Sequence, residues 1–203
     1  MHNRSLGQLY GLIMDKGKIQ KTKISFSTTR PFEARVYVTL MQTLLRVPIN
    51  SFTIYLEDVR YGSEERAFND FAEYLPELLQ SEPRIFYHPF KNKPRLTIIY
   101  HDENVTKLIS SFLKHVQILQ KNNEFSQGFL DAILTHAHFD THTFTLNVGY
   151  NEITPYLINS LEVLHVAYEQ EAHQVIIHDL YDLHEISSFS ELSKELLAPY
   201  LIA

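Results

Sequence analysis

The chain has 203 residues, 44% of them apolar and 21% charged, which suffices for a buried core and is too apolar for wholesale disorder. It has no Cys, which excludes disulfides, thiolate metal centres and a cysteine nucleophile, so a metal could be held only by His, Asp, Glu, carbonyls or water. The formal charge is −6 and uneven: residues 1–50 hold eight Lys/Arg against two acids, residues 151–203 nine acids against one base, Lys194.

The opening stretch Leu9 to Met14, the turn Asp15-Lys16-Gly17-Lys18 and the alternating run Ile19 to Thr28 read as a β-hairpin, with a short helix over Ser5 to Met14 as the competing assignment. Lys16, Lys18, Lys21 and Lys23 crowd this hairpin and are the candidate binding residues. Lysines of this kind also guard strand edges against aggregation, and phosphate contact is their other use. Thr29-Arg30-Pro31 starts a helix striped by Tyr37, Leu40, Met41, Leu44 and Leu45, and Val47-Pro48 stops it. Phe52, Ile54 and Leu56 alternate with polar neighbours as a half-buried strand, so residues 19–59 form a βαβ unit.

A helix from Ser63, with Phe68, Phe71, Leu75 and Leu79 on one face, is broken by Pro76. Arg84 to Tyr87 and Leu96 to Tyr100 read as a second hairpin around Lys91-Asn92-Lys93-Pro94. Asp102-Glu103-Asn104 opens a helix on which Val105, Ile109, Phe112, Val116 and Leu119 recur. The polar stretch Lys121 to Gly128 marks a sub-boundary in an otherwise single 1–203 domain. A helix over Ser126 to Ala137, a strand through Phe144, Leu146 and Val148, a helix from Thr154-Pro155 and a strand at Val175-Ile176-Ile177 follow. Ser188 and Glu191 have capping-box spacing before a last helix. The expected fold class is α+β, with hairpins in a mixed or antiparallel sheet, packed helices and two comparable halves.

The densest potential chemistry lies in Ile133-Leu134-Thr135-His136-Ala137-His138-Phe139-Asp140-Thr141-His142. In an extended chain His136, His138, Asp140 and His142 share one face, and in a helix they pair four apart; either way two or more ligands converge on a divalent transition metal. The segment resembles the first metal motif of the metallo-β-lactamase-type hydrolases, Thr-His-x-His-x-Asp-His. Thr135, His136, His138 and Asp140 fit it, preceded by apolar Ile133-Leu134. His142 stands one position late, and no later Gly-His pair supplies the family's next ligand, so the match is confined to about ten residues and no cofactor is firmly implied. Glu162 and His165 have Glu-x-x-His spacing beside the Leu161/Leu164/Tyr168 stripe, where a packed core histidine is the simpler reading. His178, Asp182 and His184 share a strand face.

No apolar run reaches the ~20 residues of a membrane span, and Leu6 to Met14 runs into Asp15-Lys16 without a cleavage site, so no membrane contact and a cytoplasmic location are expected. No catalytic motif is complete. The polarity between the ends points to a binding or regulatory protein acting by protein–protein contact, through a partner or by self-association. The alternative is a metal-dependent hydrolase using the histidine segment, with metal-activated water as nucleophile. The acidic total argues against nucleic acid as partner.

Overall fold

A computed structural model describes residues 2–57, 84–86, 95–140 and 145–178. The chain forms two compact units, Lys16–Phe112 on the one hand and Met1–Asp15 with Leu113–Ala203 on the other.

The chain opens with helix α1 (His2–Lys16), followed by β1 (Gly17–Ile19) and β2 (Lys23–Thr28). The helix therefore takes the place of the first strand expected from Leu9 to Met14. Leu9, Tyr10, Leu12 and Ile13 are all buried and stand at the i, i+1, i+3, i+4 spacing of one broad helical face. The hairpin forms one step later: Ile19 faces Ile24, and the Gln20 amide donates to the Lys23 carbonyl at 2.9 Å.

Helix α2 (Pro31–Leu45) starts with a proline in its first turn, where a missing N–H costs nothing, and ends at Arg46 in the left-handed conformation, φ 55°. Its Tyr37 stacks on Phe26 of β2 with ring centroids 4.4 Å apart. Strand β3 (Phe52–Glu57) follows, then β4 (Arg84–Phe86) and β5 (Arg95–His101). The sheet order is β1-β2-β5-β3-β4. Both β2 and β3 pair antiparallel with β5, so they run parallel to each other with one strand between: the βαβ unit is real but split. The second expected hairpin does not form. Strand β4 pairs in parallel with β3, and β5 leaves it to insert between β2 and β3. Lys91 to Pro94 lie outside the described residues, as do the helix expected from Ser63 and that from Ser188.

Asp102 caps helix α3 (Glu103–Leu113), its Oδ1 accepting from the amides of Asn104 (2.8 Å) and Val105 (2.9 Å). A short helix α4 (Val116–Leu119) is separate from it, where one continuous stripe had been expected. In α5 (Asn123–Ile133) the Asn122 side chain accepts from the Phe125 amide, and Gly128 lies buried mid-helix. Thus 121–128 is a cap and two helical turns. Then come β6 (His138–Asp140), β7 (Thr145–Gly149), α6 (Thr154–Val163), β8 (Tyr168–Gln170) and β9 (Gln174–Ile177), in a second sheet of order β6-β7-β9-β8.

The fold class is α+β, with one mixed and one antiparallel sheet. One run is α1, β1, β2, α2, β3, β4, β5 and the other α5, β6, β7, α6, β8, β9, and in each the last strand enters its sheet between the second and third strands of the run. The strand order β1-β2-β5-β3 is matched by β6-β7-β9-β8, with β4 an addition to the first half.

Helices α1 and α5 meet at small residues. A Cβ on Gly7 would stand 2.0 Å from the Phe125 carbonyl oxygen, and one on Gly128 would stand 1.9 Å from that of Arg4, so only hydrogen fits at these two points. Arg4 ion-pairs with the fully buried Asp131 at 2.9 Å beside this crossing.

Candidate functional site

Alternation along β2 sends Ile24, Phe26 and Thr28 into the core and leaves Lys23, Ser25 and Ser27 on the opposite face. In β5 the buried set is Leu96, Ile98 and Tyr100, and the outward set is Arg95, Thr97, Ile99 and His101. Register joins these outward residues into rows. Lys18, Ser25, Ile99 and Thr53 form one; Ser27, Thr97 and Tyr55 form another; Lys23 faces His101. Ser27 and Thr97 share a hydroxyl–hydroxyl hydrogen bond of 2.9 Å. Glu57 pairs with Arg95 in register.

The result is a floor of hydroxyls, one tyrosine and one isoleucine, with Lys18 and Lys23 at one end and Arg95 at the other. Six residues along β5 separate His101 from Arg95, roughly 20 Å, and β1 to β3 spans three strand spacings, roughly 14 Å. Lys21 extends the basic end from the turn between β1 and β2, where it is exposed. Among the described residues, no ion pair involves Lys18, Lys21, Lys23 or Arg95. Four cations with no ion pair among the described residues, set around hydrogen-bonding groups, make a surface suited to an extended anion.

Lys16 does not belong to this face. Its Nζ ion-pairs with Glu33, a fully buried carboxylate of α2 that also accepts from Thr28 Oγ1 and has Arg30 NH1 at 4.0 Å. A charge taken out of water needs such partners, so Lys16 serves the fold. The hairpin lysines were visible in the sequence. Arg95, Thr97, Tyr55 and Ser27 were not singled out, although the strict alternation of residues 23–28 and 95–100 marks an outward set as clearly as a buried one.

The histidine segment spans the end of α5, a 3-10 turn over Leu134–His136 and β6. His138 is exposed and Asp140 half-buried. His142 and the His136 side chain lie outside the described residues. Among the described residues no group of three or more His, Asp or Glu is placed to hold a metal, so the expected histidine cluster is not assembled there. A bend between α5 and β6 replaces the single extended or helical run on which convergence depended. His165 is not a core residue: α6 ends at Val163, and His165 is exposed with φ 57°. Glu162 instead accepts from the Tyr168 hydroxyl at 3.2 Å. His178 Nε2 lies 3.1 Å from Glu169 on the second sheet; Asp182 and His184 lie outside the described residues. No helix among the described residues is long and apolar enough to cross a membrane.

No family model and no curated protein matches the chain. Solved structures similar to the chain include two. One is the N-terminal LAGLIDADG domain of DUF199/WhiA, 13% identical, with 92% of this chain and 81% of that chain covered and a TM-score of 0.49. The other is I-DmoI in complex with DNA and Ca, 13% identical, with 94% and 92% covered and a TM-score of 0.49. Three expectations from the sequence are revised. A regulatory protein working by protein–protein contact or self-association gives way to a reading built on the cation-lined outward face of the first sheet. So does the metal-dependent hydrolase, which also lacks an assembled ligand group among the described residues. The exclusion of nucleic acid is withdrawn as well: it rested on a whole-chain charge, whereas 14 of the 18 Lys/Arg fall in Lys16–Phe112, against 11 acids.

Proposed function

We propose that the chain binds duplex nucleic acid through the outward face of the first sheet. The observation that supports this is the set of cations Lys18, Lys21, Lys23 and Arg95, without an ion pair among the described residues, bracketing Ser25, Ser27, Thr53, Tyr55 and Thr97. Lysine and arginine neutralise phosphates, and hydroxyls serve phosphates and base edges alike. A face of roughly 14 Å by 20 Å is of the same order as the B-DNA major groove, about 12 Å wide. I-DmoI is itself described with DNA; the proposal for this chain stands on its own surface. The same reading assigns the chain to the cytoplasm, in keeping with a sequence without cysteine.

The test is binding of a labelled duplex of arbitrary sequence as salt is varied. Four phosphate contacts give a slope of log affinity against log salt of about −3.6, so a fourfold rise in salt weakens binding about 150-fold. Each of Lys18→Ala, Lys23→Ala and Arg95→Ala lowers the slope by about 1. Absence of binding at low salt refutes the proposal.

A further inference from the structure

The two sheets share one strand order, so their outward faces compare strand by strand. In the first half the strands and their turn carry Lys18, Lys21, Lys23 and Arg95. In the second, β6 to β9 read His-Phe-Asp, Thr-Leu-Asn-Val-Gly, Tyr-Glu-Gln and Gln-Val-Ile-Ile, with no Lys or Arg at all. Register sets His138, Asn147, Ile176 and Glu169 in one row across all four strands, and Asp140 opposite Thr145 in the next. Where β1 offers Lys18, β6 offers His138 and Asp140. Where β3 offers Thr53 and Tyr55, β8 offers Glu169, whose carboxylate is 63% exposed. Glu171 continues this acidic edge past β8 and is exposed too. The unit containing this sheet holds 4 Lys/Arg against 13 acids over its whole sequence.

We propose that the duplex is held by the first sheet alone, and that the second sheet, identical in strand order, takes no part in phosphate contact. This rests on the nucleic-acid reading above and restricts it to one half of a two-half fold. A polyanion approaching β6 to β9 meets carboxylates and neutral amides, with no fixed cation to release its counterions. Repetition of the backbone and repetition of the binding surface are thus separate in this chain.

The experiment uses the full chain and the same labelled duplex, with two sets of variants. Lys18→Ala/Lys23→Ala is expected to lower the salt slope by about 2 and, at fourfold higher salt, to show only about a 12-fold loss of affinity where wild type shows about 150-fold. His138→Ala/Asn147→Ala is expected to keep the wild-type slope and an affinity within about twofold. Hydrogen exchange with and without duplex is read in parallel, since it does not depend on substitutions. Slowing over residues 17–28 and 95–101, with residues 138–149 and 168–177 unchanged, supports the proposal. Protection of the second sheet, or a slope lowered by His138→Ala/Asn147→Ala, overturns it while leaving nucleic-acid binding intact. No binding by wild type overturns the nucleic-acid reading instead.

Discussion

Replacing Gly7 by Ala sets two effects of opposite sign against each other. In an exposed helix the change stabilises by about 1 kcal/mol, because alanine loses less backbone entropy than glycine. At the α1–α5 crossing the new methyl stands 2.0 Å from the Phe125 carbonyl oxygen and 2.9 Å from the Phe129 amide nitrogen. Both are backbone atoms of a buried helix, so no side chain can swing aside. Ordinary contact, about 3.5 Å, requires the helices to part by roughly 1.5 Å. That movement stretches the Arg4–Asp131 ion pair from 2.9 Å beyond useful range and opens the contact between Gly11 and Ala132. Overpacking alone costs about 1–3 kcal/mol, and the weakened buried pair brings the expected loss to about 3 kcal/mol. For a chain of this length that lowers the melting temperature by roughly 6–12 °C. Gly128→Ala behaves alike, and the double variant costs less than the sum, since one separation relieves both clashes. Gly149→Ala is the control: nothing lies within 4 Å of its Cβ, so stability holds or rises slightly. Urea denaturation of the four proteins decides the matter. A Gly7→Ala protein as stable as wild type refutes the close crossing.

Asp131→Asn leaves Arg4 beside a neutral amide in the core and is expected to cost about 3–5 kcal/mol, measured by the same denaturation. Glu33→Gln removes the carboxylate shared by Lys16 and Thr28 and lowers stability by a similar amount, without changing the salt slope of duplex binding. Tyr37→Phe keeps the stack on Phe26 and deletes a buried hydroxyl without a hydrogen-bond partner among the described residues, so stability is expected to rise by about 1 kcal/mol. Burial also pushes the Tyr37 and Tyr10 phenols well above their ordinary value near 10. The folded chain keeps these protons where the unfolded chain gives them up, so their contribution is complete below about pH 10 and falls above it. Denaturation midpoints should hold up to that pH and then drop, less steeply in Tyr37→Phe; an equally steep drop in both proteins refutes the assignment.

What could be read in the sequence was whatever local pattern decides. The alternation at Ile24/Phe26, Leu96/Ile98 and Phe52/Ile54 gave strands, and Pro31 and Pro155 marked helix starts. Helix α1, the competing assignment over Ser5 to Met14, stood second to a hairpin because Asp15-Lys16-Gly17-Lys18 makes a good turn, and because Gly7 and Gly11 resemble breakers when they are contact points. The placement of β5 between β2 and β3 is a non-local choice that no window of residues contains. The candidate site divides in the same way. Lys18, Lys21 and Lys23 were visible as a run; their grouping with Arg95 and Tyr55 requires the register of strands some 70 residues apart, as in the pairing of Ser25 with Ile99. His136 to His142 drew attention by density; of the four candidate ligands His138 and Asp140 share strand β6, while the His136 side chain and His142 lie outside the described residues.

The inserted strand also sets an order on assembly. In each half the strand that joins the others is made last: β5 after β2 and β3, and β9 after β7 and β8. Until Arg95–His101 has left the ribosome, β2 and β3 each lack the neighbour that joins them, and their main-chain groups are open to any other strand. The long separation between partners makes this closure slow as well as late. The nascent chain is therefore most exposed to mispairing just before its central strands arrive, once near residue 95 and again near residue 174.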